Sequence, residues 1–343
     1  MTDFLRSNVR KMPGYTPGEQ PRDGEYTKLN TNENPYPPSP RVFEAIGQAT
    51  TGDRLRKYPD PLGHHFRTAA ARVLGVDPDA ILIGNGSDEI LTMITRAVVP
   101  DGGLVLAPTP SYLLYRTLAE IQGAAYQEIP FTPDWQLDPS AVPRHTALTF
   151  LSNPNSPSGT TLPVDQLANW PSPLVIDEAY VDFAVDNGLR LIGANAKILV
   201  TRSLSKSYAL AGIRFGFAVG SPQVIRQLYK VKDSYNCDVL SLAAATAAIE
   251  DQEHMRANRG RILATRARMT ADLRRLGFAV TDSYANFVWC RRERPIKPVY
   301  EELRNRKILV RYMNYPNYGD GLRISVGSDP EIDRLLDELA KIA

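Results

Sequence analysis

The sequence predicts an α/β fold with a mostly parallel sheet, followed by a smaller domain of strands and helices. Between about residues 80 and 219, short apolar segments alternate with segments of helical periodicity. This alternation is typical of helical crossovers between parallel strands. After Ser221 the pattern changes to longer helical segments and a few further strands. The chain has 343 residues, which is enough for one large domain and a smaller one.

An N-terminal arm is expected over residues 1–40. Prolines cluster in "NPYPPSP", residues 34–40. Because proline disfavours helix interiors and central strands, this stretch should stay extended until a helix begins near Arg41. The arm is either a packed tail or a segment that closes over a site or reaches a second subunit.

The large domain is expected over residues 41–235. Apolar periodicity indicates helices in "SDEILTMITRAV" and "SYLLYRTLAEIQG". Strands are expected in six apolar segments: "AILIG", "GLVLAP", "TALTFLS", "PLVID", "KILVTRS" and "RFGFAVG". A further helix, "SPQVIRQLYKVKD", opens with a serine cap and a proline at its first helical position.

The small C-terminal domain is expected over residues 236–343. Its long helix, "EHMRANRGRILATRARMTADLRRLG", ends at a glycine. Strands are expected in "ANFVWCRR", "ILVRY" and "GLRISVG". The final segment, "DPEIDRLLDELAKI", has the apolar period of an amphipathic helix.

Composition and charge exclude several kinds of partner. Lysine and arginine number 40 against 38 acids, a net charge of +2, which is too balanced for nucleic acid or an anionic membrane as the main partner. The N-terminus lacks the apolar core of a secretory signal, and no run approaches the roughly 20 apolar residues of a membrane span. We therefore expect a cytoplasmic protein. No cysteine or histidine stands at metal-ligand spacing, so no metal site is expected.

Four polar clusters follow predicted strands, where ligands bind in parallel α/β sheets. The first, "GNGSDE" (84–89), opens a helix, and the free N–H groups of a helix start favour an anion such as phosphate. A structural turn is the alternative. The second, "SNPNSPSGT" (152–160), offers the amides of Asn153 and Asn155 on a proline-stiffened turn. An ordinary polar turn would explain it equally simply.

The third and fourth clusters place charged side chains in apolar surroundings. Asp177 ends the strand "PLVID", where a desolvated carboxylate needs a cation or a protonated ring nitrogen, unless it caps a helix. Lys206 follows the strand "KILVTRS", and a desolvated lysine can attack a carbonyl carbon to form an imine. The serines beside it and Arg214 would bind an anion.

Together the four clusters meet the separate requirements of one cofactor, pyridoxal 5'-phosphate. It needs an anion cradle, an amide donor, a carboxylate for its ring nitrogen and an imine-forming lysine. The carboxylate keeps the nitrogen protonated, and the lysine becomes the base that moves the proton.

The order of these motifs resembles that of the fold type I aminotransferases, and most closely their histidinol-phosphate aminotransferase branch. The resemblance runs from "LNTNENP" to the last strand through "KYPDP", "PSY", "DEAYVDF", "SLSKSYALAGIRFG" and "VRYMNYPNYGDGLRISVG". It implies a seven-stranded, mostly parallel sheet between helices, a smaller α+β domain and an N-terminal arm.

The resemblance also implies roles for individual residues at the cofactor. Lys206 would be the Schiff-base lysine, Asp177 the partner of the ring nitrogen, and Tyr180 a catalytic partner of the ring oxygen. Tyr112 would stack on the ring, and Asn155 would bond the ring oxygen. Many relatives carry asparagine at the position of Ser156, so this role passes to Asn155 here. The phosphate would be held by Gly86, Ser87, Asp88, Ser203, Ser205 and Arg214.

Further implied roles concern a second subunit and the substrate. Tyr58 in "KYPDP" would reach the cofactor phosphate of the neighbouring subunit, which makes the enzyme a homodimer. Arg311 and Arg323 would bind the anionic groups of the substrates, since arginine binds phosphate and carboxylate in two-point fashion. Tyr15 and Asn32 of the arm would line the same pocket.

The reaction expected from the resemblance is amino transfer between L-histidinol phosphate and 2-oxoglutarate, a step of histidine biosynthesis. An aminotransferase of aromatic or other amino acids, or a phosphothreonine-type decarboxylase, would use the same motifs. A regulatory module without turnover is disfavoured because the arm is too short for a DNA-binding domain. A nicotinamide dehydrogenase is disfavoured by the incomplete glycine fingerprint.

Overall fold

The structure, a computed structural model, describes residues 4–14, 18–143, 145–171, 173–316 and 318–342. Its strands are β1 (Thr27–Lys28), β2 (Ile81–Gly84), β3 (Leu104–Thr109), β4 (Ala125–Pro130), β5 (Leu148–Ser152), β6 (Leu174–Asp177), β7 (Ile198–Ser203), β8 (Gly216–Val219), β9 (Ala279–Val280), β10 (Phe287–Arg291), β11 (Ile308–Leu309), β12 (Arg311–Tyr315) and β13 (Gly319–Ser325). Its α-helices are α1 (Ser7–Lys11), α2 (Pro40–Ala49), α3 (Gly52–Leu55), α4 (His64–Leu74), α5 (Ser87–Val98), α6 (Leu114–Gln122), α7 (Val164–Leu167), α8 (Leu189–Ile192), α9 (Pro222–Leu228), α10 (Val239–Glu250), α11 (Gln252–Arg275), α12 (Lys297–Asn305) and α13 (Asp329–Ile342).

The largest sheet has seven strands in the order β2-β8-β7-β6-β5-β3-β4. Neighbours from β7 to β4 are parallel, and β8 runs in the opposite direction between β2 and β7. The prediction of a mostly parallel seven-stranded sheet is confirmed. The sequence pattern missed β4, because this edge strand is mostly exposed and carries no apolar run.

Helices cover both faces of this sheet because its strands are apolar on both sides. Along β2, Ile81 and Ile83 contribute to one core cluster and Leu82 to the other, as alternation along a strand requires. The first cluster includes residues of α2, α4 and α10, and the second includes residues of α5, α6 and α9. The carboxyl edge of the sheet is therefore held between two packed layers.

The C-terminal part of the chain forms a separate antiparallel sheet in the order β12-β13-β10-β9. Its core combines apolar residues of β10 and β13 with those of α11, α12 and α13. Arg311 and Arg323 are directly opposite each other on β12 and β13. Cross-strand partners share a face of the sheet, so both guanidinium groups emerge on the same side.

Helix α10 packs with the large sheet and not with the small one. Its buried residues Ala244, Ala245 and Ile249 belong to the cluster that contains α2 and α4. The sequence pattern did not indicate this helix, because apolar residues and alanines surround its whole circumference and leave no amphipathic period. By its packing, the segment 239–250 belongs with the large domain, whereas the expected boundary places this segment in the small domain.

The N-terminal arm is attached to the small domain through its backbone. Strand β1 pairs in parallel with β11, and Leu29 continues the pairing with hydrogen bonds to the backbone of Leu309 and Ser325. The arm then crosses to the large domain, where the side chain of Asn34 donates to the carbonyl oxygens of Lys206 and Ser207. Helix α2 follows, with Ser39 as its N-cap.

None of the described helices is long and apolar enough to cross a membrane. Among the described residues, no group of three or more histidine, cysteine, aspartate or glutamate side chains is arranged to hold a metal ion. Cys237 and Cys290 are buried free thiols.

Candidate active site

A cavity of about 510 Å³ lies at the carboxyl edge of the large sheet, where the arm and the small domain meet it. Open α/β sheets bind their ligands at this edge because the loops after the parallel strands converge there. The cavity is lined by Gly18, Gln20, Asn30, Thr31, Asn32, Glu33, Ser87, Asp88, Ser111, Tyr112, Leu113, Ser152, Ser156, Asp177, Ala179, Tyr180, Ser203, Ser205, Lys206, Ala211, Arg214, Arg311, Met313 and Arg323.

Lys206 reaches this cavity from the turn that follows β7. Its Nζ donates a hydrogen bond of 3.3 Å to the carbonyl oxygen of Thr31 in the arm and lies 5.7 Å from the ring centroid of Tyr180. The lysine is partly buried, while Ser205 and Ser207 on either side are buried. An amine in this position is within reach of a ligand and shielded from bulk water.

Asp177 is the last residue of β6 and is buried. Its carboxylate accepts hydrogen bonds from Tyr115 Oη at 2.8 Å and Thr201 Oγ1 at 3.2 Å. Burial raises the pKa of this carboxyl group, and the two hydroxyl donors lower it. It is followed by a short 3-10 turn, Val181–Phe183, so it does not cap an α-helix. Within the described chain it has no ion-pair partner, which leaves room for a cation from a ligand.

The start of α5 and the chain before β8 form a small basic concavity. Gly86 has a φ of +84°, and a Cβ there would lie 2.8 Å from the guanidinium of Arg214. A Cβ at Gly216 would lie 2.6 Å from the backbone nitrogen of Ser87. Glycine is needed at Gly86 because other residues rarely adopt its φ, and at Gly216 because a Cβ would collide with the backbone at the start of α5. Free N–H groups at that terminus favour an anion.

Two further features of this concavity concern its polar side chains. Ser205 Oγ is buried and has no hydrogen-bond partner in the described structure, so a ligand atom would satisfy it. Asp88 receives a hydrogen bond from Tyr112 Oη at 3.1 Å, and its carboxylate lies 3.6 Å from Arg214. The aromatic ring of Tyr112 is thereby tethered beside the anion-binding helix start.

The loop after β5 presents Ser156 to the cavity and turns Asn155 away from it. Asn155 is buried; its amide donates to Pro110 and Ser158 and accepts from Ser111. With both amide hydrogens used within the protein, Asn155 is not in a position to bond a ring oxygen in this structure. Ser156 lines the cavity and accepts a hydrogen bond of 3.0 Å from Arg323. The two adjacent loop residues face opposite ways in this structure, and the ring-oxygen role expected for Asn155 stays a prediction.

The small domain contributes the arginine pair. Arg323 donates to Ser156 Oγ and to the carbonyl oxygen of Asn30, each at 3.0 Å, and its guanidinium carbon lies 5.4 Å from the ring centroid of Phe287. Arg311, its cross-strand neighbour, lines the same wall. The pair gives this side of the cavity positive charge with fixed orientation.

Asn32 links the arm to the opposite wall. Its amide donates a hydrogen bond of 2.9 Å to Tyr180 Oη, and its Oδ1 accepts from Ser325 Oγ. Asn32 is buried and has a φ of 56°, which asparagine tolerates better than most residues. The phenol of Tyr180 is therefore oriented by a residue of the arm.

Most residues predicted from the sequence meet in this cavity: Asn32, Ser87, Asp88, Tyr112, Asp177, Tyr180, Ser203, Ser205, Lys206, Arg214, Arg311 and Arg323. Gly86 adjoins it through Arg214. Tyr58 is 80% exposed, stacks on Tyr235 and does not line the cavity of its own chain. Tyr15 lies outside the described residues.

Sequence reasoning missed several residues around the site. Glu33 of "NTNENP" lines the cavity; burial raises its pKa, and hydrogen bonds from Lys28 and Thr31 lower it by more. Met313 lines the wall beside Arg311. The available signal for Glu33 was a run of five consecutive polar residues, 30–34, in an otherwise proline-rich arm, whereas nothing in the sequence distinguishes Met313.

The chain belongs to the class I and II aminotransferase family, whose model matches residues 24–339. It is 52% identical over 336 residues to histidinol-phosphate aminotransferase of Rhodopirellula baltica, covering 96% of this chain and 92% of that protein. It is 46% identical over 347 residues to histidinol-phosphate aminotransferase 1 of a Nostoc species, covering 99% and 98%. The predicted class of enzyme is confirmed.

Solved structures give the same fold. The crystal structure of histidinol-phosphate aminotransferase from Sinorhizobium meliloti in complex with pyridoxal-5'-phosphate matches with a TM-score of 0.90 at 27% identity, over 99% of each chain. Aspartate aminotransferase from Thermus thermophilus with maleate matches with a TM-score of 0.78 at 21% identity, over 93% of this chain and 92% of that one. The second likeness concerns the fold alone.

Pyridoxal 5'-phosphate is the cofactor of this family, and the cavity fits it on three counts. Asp177 is a buried carboxylate without a cation in the described chain, as a protonated ring nitrogen requires. The helix start at Gly86, with Arg214 and the unpartnered Ser205 hydroxyl, suits a phosphate group. Lys206 lines the same cavity as these two features.

Proposed function

We propose that this aminotransferase exchanges an amino group between L-histidinol phosphate and 2-oxoglutarate, as a step of histidine biosynthesis, with pyridoxal 5'-phosphate as cofactor. The observation that carries the proposal is the pair Arg311 and Arg323, side by side on the small-domain wall of the cavity that contains Lys206. L-histidinol phosphate carries its phosphate ester on the carbon next to the amine-bearing carbon, where glutamate and 2-oxoglutarate carry their α-carboxylate. A guanidinium binds phosphate and carboxylate with the same two-point geometry, so one wall serves both.

The names of the relatives support the same substrate. Two curated proteins that match nearly the whole chain at 52% and 46% identity are histidinol-phosphate aminotransferases. Ser156 and Met313 line the cavity together with the two arginines. Aminotransfer with an aromatic amino acid is the principal competing outcome, since Tyr112 and Tyr180 would also accept an aromatic side chain.

When bound, the cofactor supplies an electron sink for the charge left at the α-carbon of the substrate. The chain supplies the remaining functions. Lys206 Nζ would take the α-proton of the substrate and carry it during the transfer, Asp177 would hold the proton of the ring nitrogen, and Tyr180 Oη would donate to the ring oxygen. Arg311 and Arg323 fix the substrate so that its α-hydrogen faces Lys206.

Around the cofactor phosphate we assign the backbone of Gly86, Ser87 and Asp88 and the side chains of Ser203, Ser205 and Arg214. Tyr112 would stack on the ring, and Ser156 would take the place that Asn155 does not occupy. Each charge-assisted hydrogen bond contributes roughly 1.5 to 3 kcal/mol. Several such bonds hold the cofactor by its phosphate while Lys206 acts on the substrate.

We also infer a homodimer in which Tyr58 completes the phosphate site of the partner subunit. The exposed position of Tyr58 and its stacking on the half-exposed Tyr235 support this inference, because a solvent-facing aromatic pair is costly unless it is covered. A cytoplasmic location stays a prediction.

The decisive experiment is a panel of half-reactions with the purified, cofactor-loaded protein. Histidinol phosphate, phenylalanine and phosphothreonine are supplied one at a time, and conversion to the pyridoxamine form is followed by absorbance. Rapid conversion with histidinol phosphate is expected. If phenylalanine reacts and histidinol phosphate does not, the substrate proposal is wrong, and carbon dioxide release from phosphothreonine would indicate a decarboxylase.

Replacement of Lys206 tests its role directly. The wild-type protein should be yellow and lose this absorbance on borohydride treatment, whereas Lys206→Ala should bind the cofactor without forming a reducible bond. Turnover should fall by at least about 1,000-fold, since nucleophile and proton carrier are lost together. Lys197→Ala, at an exposed position before β7, is the control and should behave as wild type. A reducible bond in Lys206→Ala would assign the role to another lysine.

A further inference from the structure

Tyr115 joins two residues of the site without lining the cavity itself. It lies in α6 and is fully buried. Its Oη donates to Asp177 Oδ2 at 2.8 Å. Its ring stacks on Phe150, with centroids 4.8 Å apart and planes 8° apart, and meets the ring of Tyr112 edge-on at 5.6 Å and 87°. One side chain therefore contacts both the buried carboxylate and the aromatic ring proposed to cover the cofactor.

Tyr115 is bonded to only one of the two oxygens of the Asp177 carboxylate, Oδ2. The other oxygen of this carboxylate accepts from Thr201 Oγ1 at 3.2 Å and from the backbone N–H of Ala179 at 3.3 Å. Each carboxylate oxygen has about two acceptor sites, so these donors leave capacity for one more donor. The positions of Tyr115 and Thr201 decide which way the remaining acceptor faces.

We propose that Tyr115 is a positioning residue: its phenol aims the Asp177 carboxylate at the ring nitrogen of the cofactor and keeps it ionised, and its ring supports Tyr112. This inference rests on the proposed function, since it concerns the bound pyridoxal 5'-phosphate. It extends the site by one residue in the layer behind the cavity. Phe150 holds the Tyr115 ring from the other side, so the phenol has little freedom to turn away.

The electrostatics of the cluster give the direction of the effect. Burial and the negative charge of Asp177 raise the pKa of Tyr115, so the phenol stays protonated and remains a donor. Burial raises the pKa of Asp177, hydrogen bonds from Tyr115 and Thr201 lower it, and the negative charge of Asp88 raises it. The other ionisable residues that line the cavity are Glu33, Tyr112, Tyr180, Lys206, Arg214, Arg311 and Arg323.

Loss of the Tyr115 hydroxyl should therefore raise the pKa of Asp177. A carboxyl group with a higher pKa is neutral over more of the acidic range, where it no longer holds a protonated ring nitrogen. Cofactor affinity should accordingly be lost at a higher pH in the variant than in the wild type. Because a hydrogen bond to a charged group changes an equilibrium by roughly tenfold or more, the shift should be about one pH unit.

The test is the pH dependence of pyridoxal 5'-phosphate affinity in full-length protein that has been stripped of cofactor. Tyr115→Phe keeps the ring and removes only the hydroxyl. Tyr229→Phe is the matched control, because it removes a partly buried hydroxyl that donates to the carbonyl oxygen of Ile81 and does not line the cavity. We expect the acidic midpoint to move up by about one unit in Tyr115→Phe and to stay in place in the control.

A second variant keeps the test independent of folding. A ring-fluorinated tyrosine at position 115 is a stronger donor of the same shape, so it should move the midpoint to lower pH. An unchanged midpoint in both Tyr115 variants, even with a lowered melting temperature, would mean that Tyr115 only packs, and the proposal would be wrong. Failure of the proposed function looks different: the wild type would take up no pyridoxal 5'-phosphate or would show no borohydride-sensitive absorbance.

Discussion

At the scale of single residues, the site depends on ionisable side chains that are wholly or partly buried and so removed from water. Lys206 lies in a turn whose neighbours are buried, and Asp177 is a buried carboxylate with hydroxyl donors and no cation in the described chain. Leaving a charge unpaired in the interior is expensive. A ligand that condenses with the amine and presents a protonated nitrogen removes both costs, which is the physical reason these two residues occur together.

Arg323 should be sensitive even to a substitution that keeps its charge. Arg323→Lys retains a cation but loses the planar fork that donates to Ser156 and Asn30 in this structure and to the substrate anion in the proposal. We expect kcat/KM to fall by about 100-fold for histidinol phosphate and for 2-oxoglutarate alike, since one wall serves both. Steady-state kinetics with each substrate measure the effect.

The control for this substitution is Arg268→Lys, in a surface ion pair with Asp333, which should leave both values near wild type. A loss confined to one of the two substrates would contradict a shared anion site and would divide the roles between Arg311 and Arg323.

At the scale of elements, the arm is a structural part of the site. It adds a short strand to β11, forms ion pairs from Glu19 to Arg304 and from Asp23 to Lys307, and then passes the cavity with Thr31, Asn32 and Glu33. A Cβ on Gly18 would lie 2.5 Å from the side chain of Thr31, so the two passes of the arm touch beside Arg311. The arm thus connects the wall with the arginines to the wall with the lysine.

Asn34 is the element-scale contact whose loss should be easiest to measure. Its amide donates to the carbonyl oxygens of Lys206 and Ser207 at 2.9 and 3.2 Å. Asn34→Ala should lower stability by about 1 to 3 kcal/mol, because two carbonyl groups lose a partner. It should also lower kcat more than it raises KM, because the turn that presents Lys206 is loosened while the arginines are untouched.

Denaturant unfolding and steady-state kinetics test this prediction together. Asn187→Ala is the comparison and should change neither kcat nor KM, because it removes a partly buried side chain that accepts from the backbone N–H of Leu189 and does not line the cavity. A rise in KM with unchanged kcat would show that the arm serves substrate binding and not the placement of Lys206.

At the scale of the whole molecule, the cavity is an interface between two packed bodies. The large sheet provides its floor, the antiparallel sheet its arginine wall, and separate hydrophobic clusters hold each of them. Substrate anions that bind Arg311 and Arg323 would therefore draw the two bodies together over Lys206. We infer that the same architecture is completed by a second copy of the chain through Tyr58.

A mixed dimer tests the role of Tyr58. Tyr58→Phe alone should weaken cofactor affinity by about tenfold, through loss of one hydrogen bond to phosphate. In a heterodimer of Tyr58→Phe with Lys206→Ala, the intact lysine and the intact tyrosine meet in one of the two sites only if Tyr58 acts across the interface. At limiting cofactor, we then expect about half of the wild-type activity per dimer.

Tandem affinity purification of co-expressed, differently tagged chains yields this heterodimer. The Tyr58→Phe homodimer and the inactive Lys206→Ala homodimer are measured beside it. If the heterodimer shows no gain in cofactor affinity over the Tyr58→Phe homodimer, Tyr58 does not complete the partner's site.

The fold class, the family and most of the residues that line the cavity could be predicted from the sequence alone. Parallel strands place the residues that follow them at one edge of the sheet. Asp177 and Lys206, at the ends of two predicted strands, could therefore be expected in one site from the sequence alone. The apolar periods of the strands and helices carried enough information for six of the seven strands of the large sheet.

The tertiary structure decided what depends on side-chain direction and on long-range packing. Ser156 and not Asn155 faces the cavity, because the amide of Asn155 satisfies the loop around it. Helix α10 packs with α2, α4 and the large sheet, and the sequence could not show this because its apolar residues surround the whole helix and leave no period. Tyr115 reaches Asp177 across 62 positions of sequence, and a contact at that separation leaves no local pattern. The packing of α6 on one face of the large sheet brings the two side chains together.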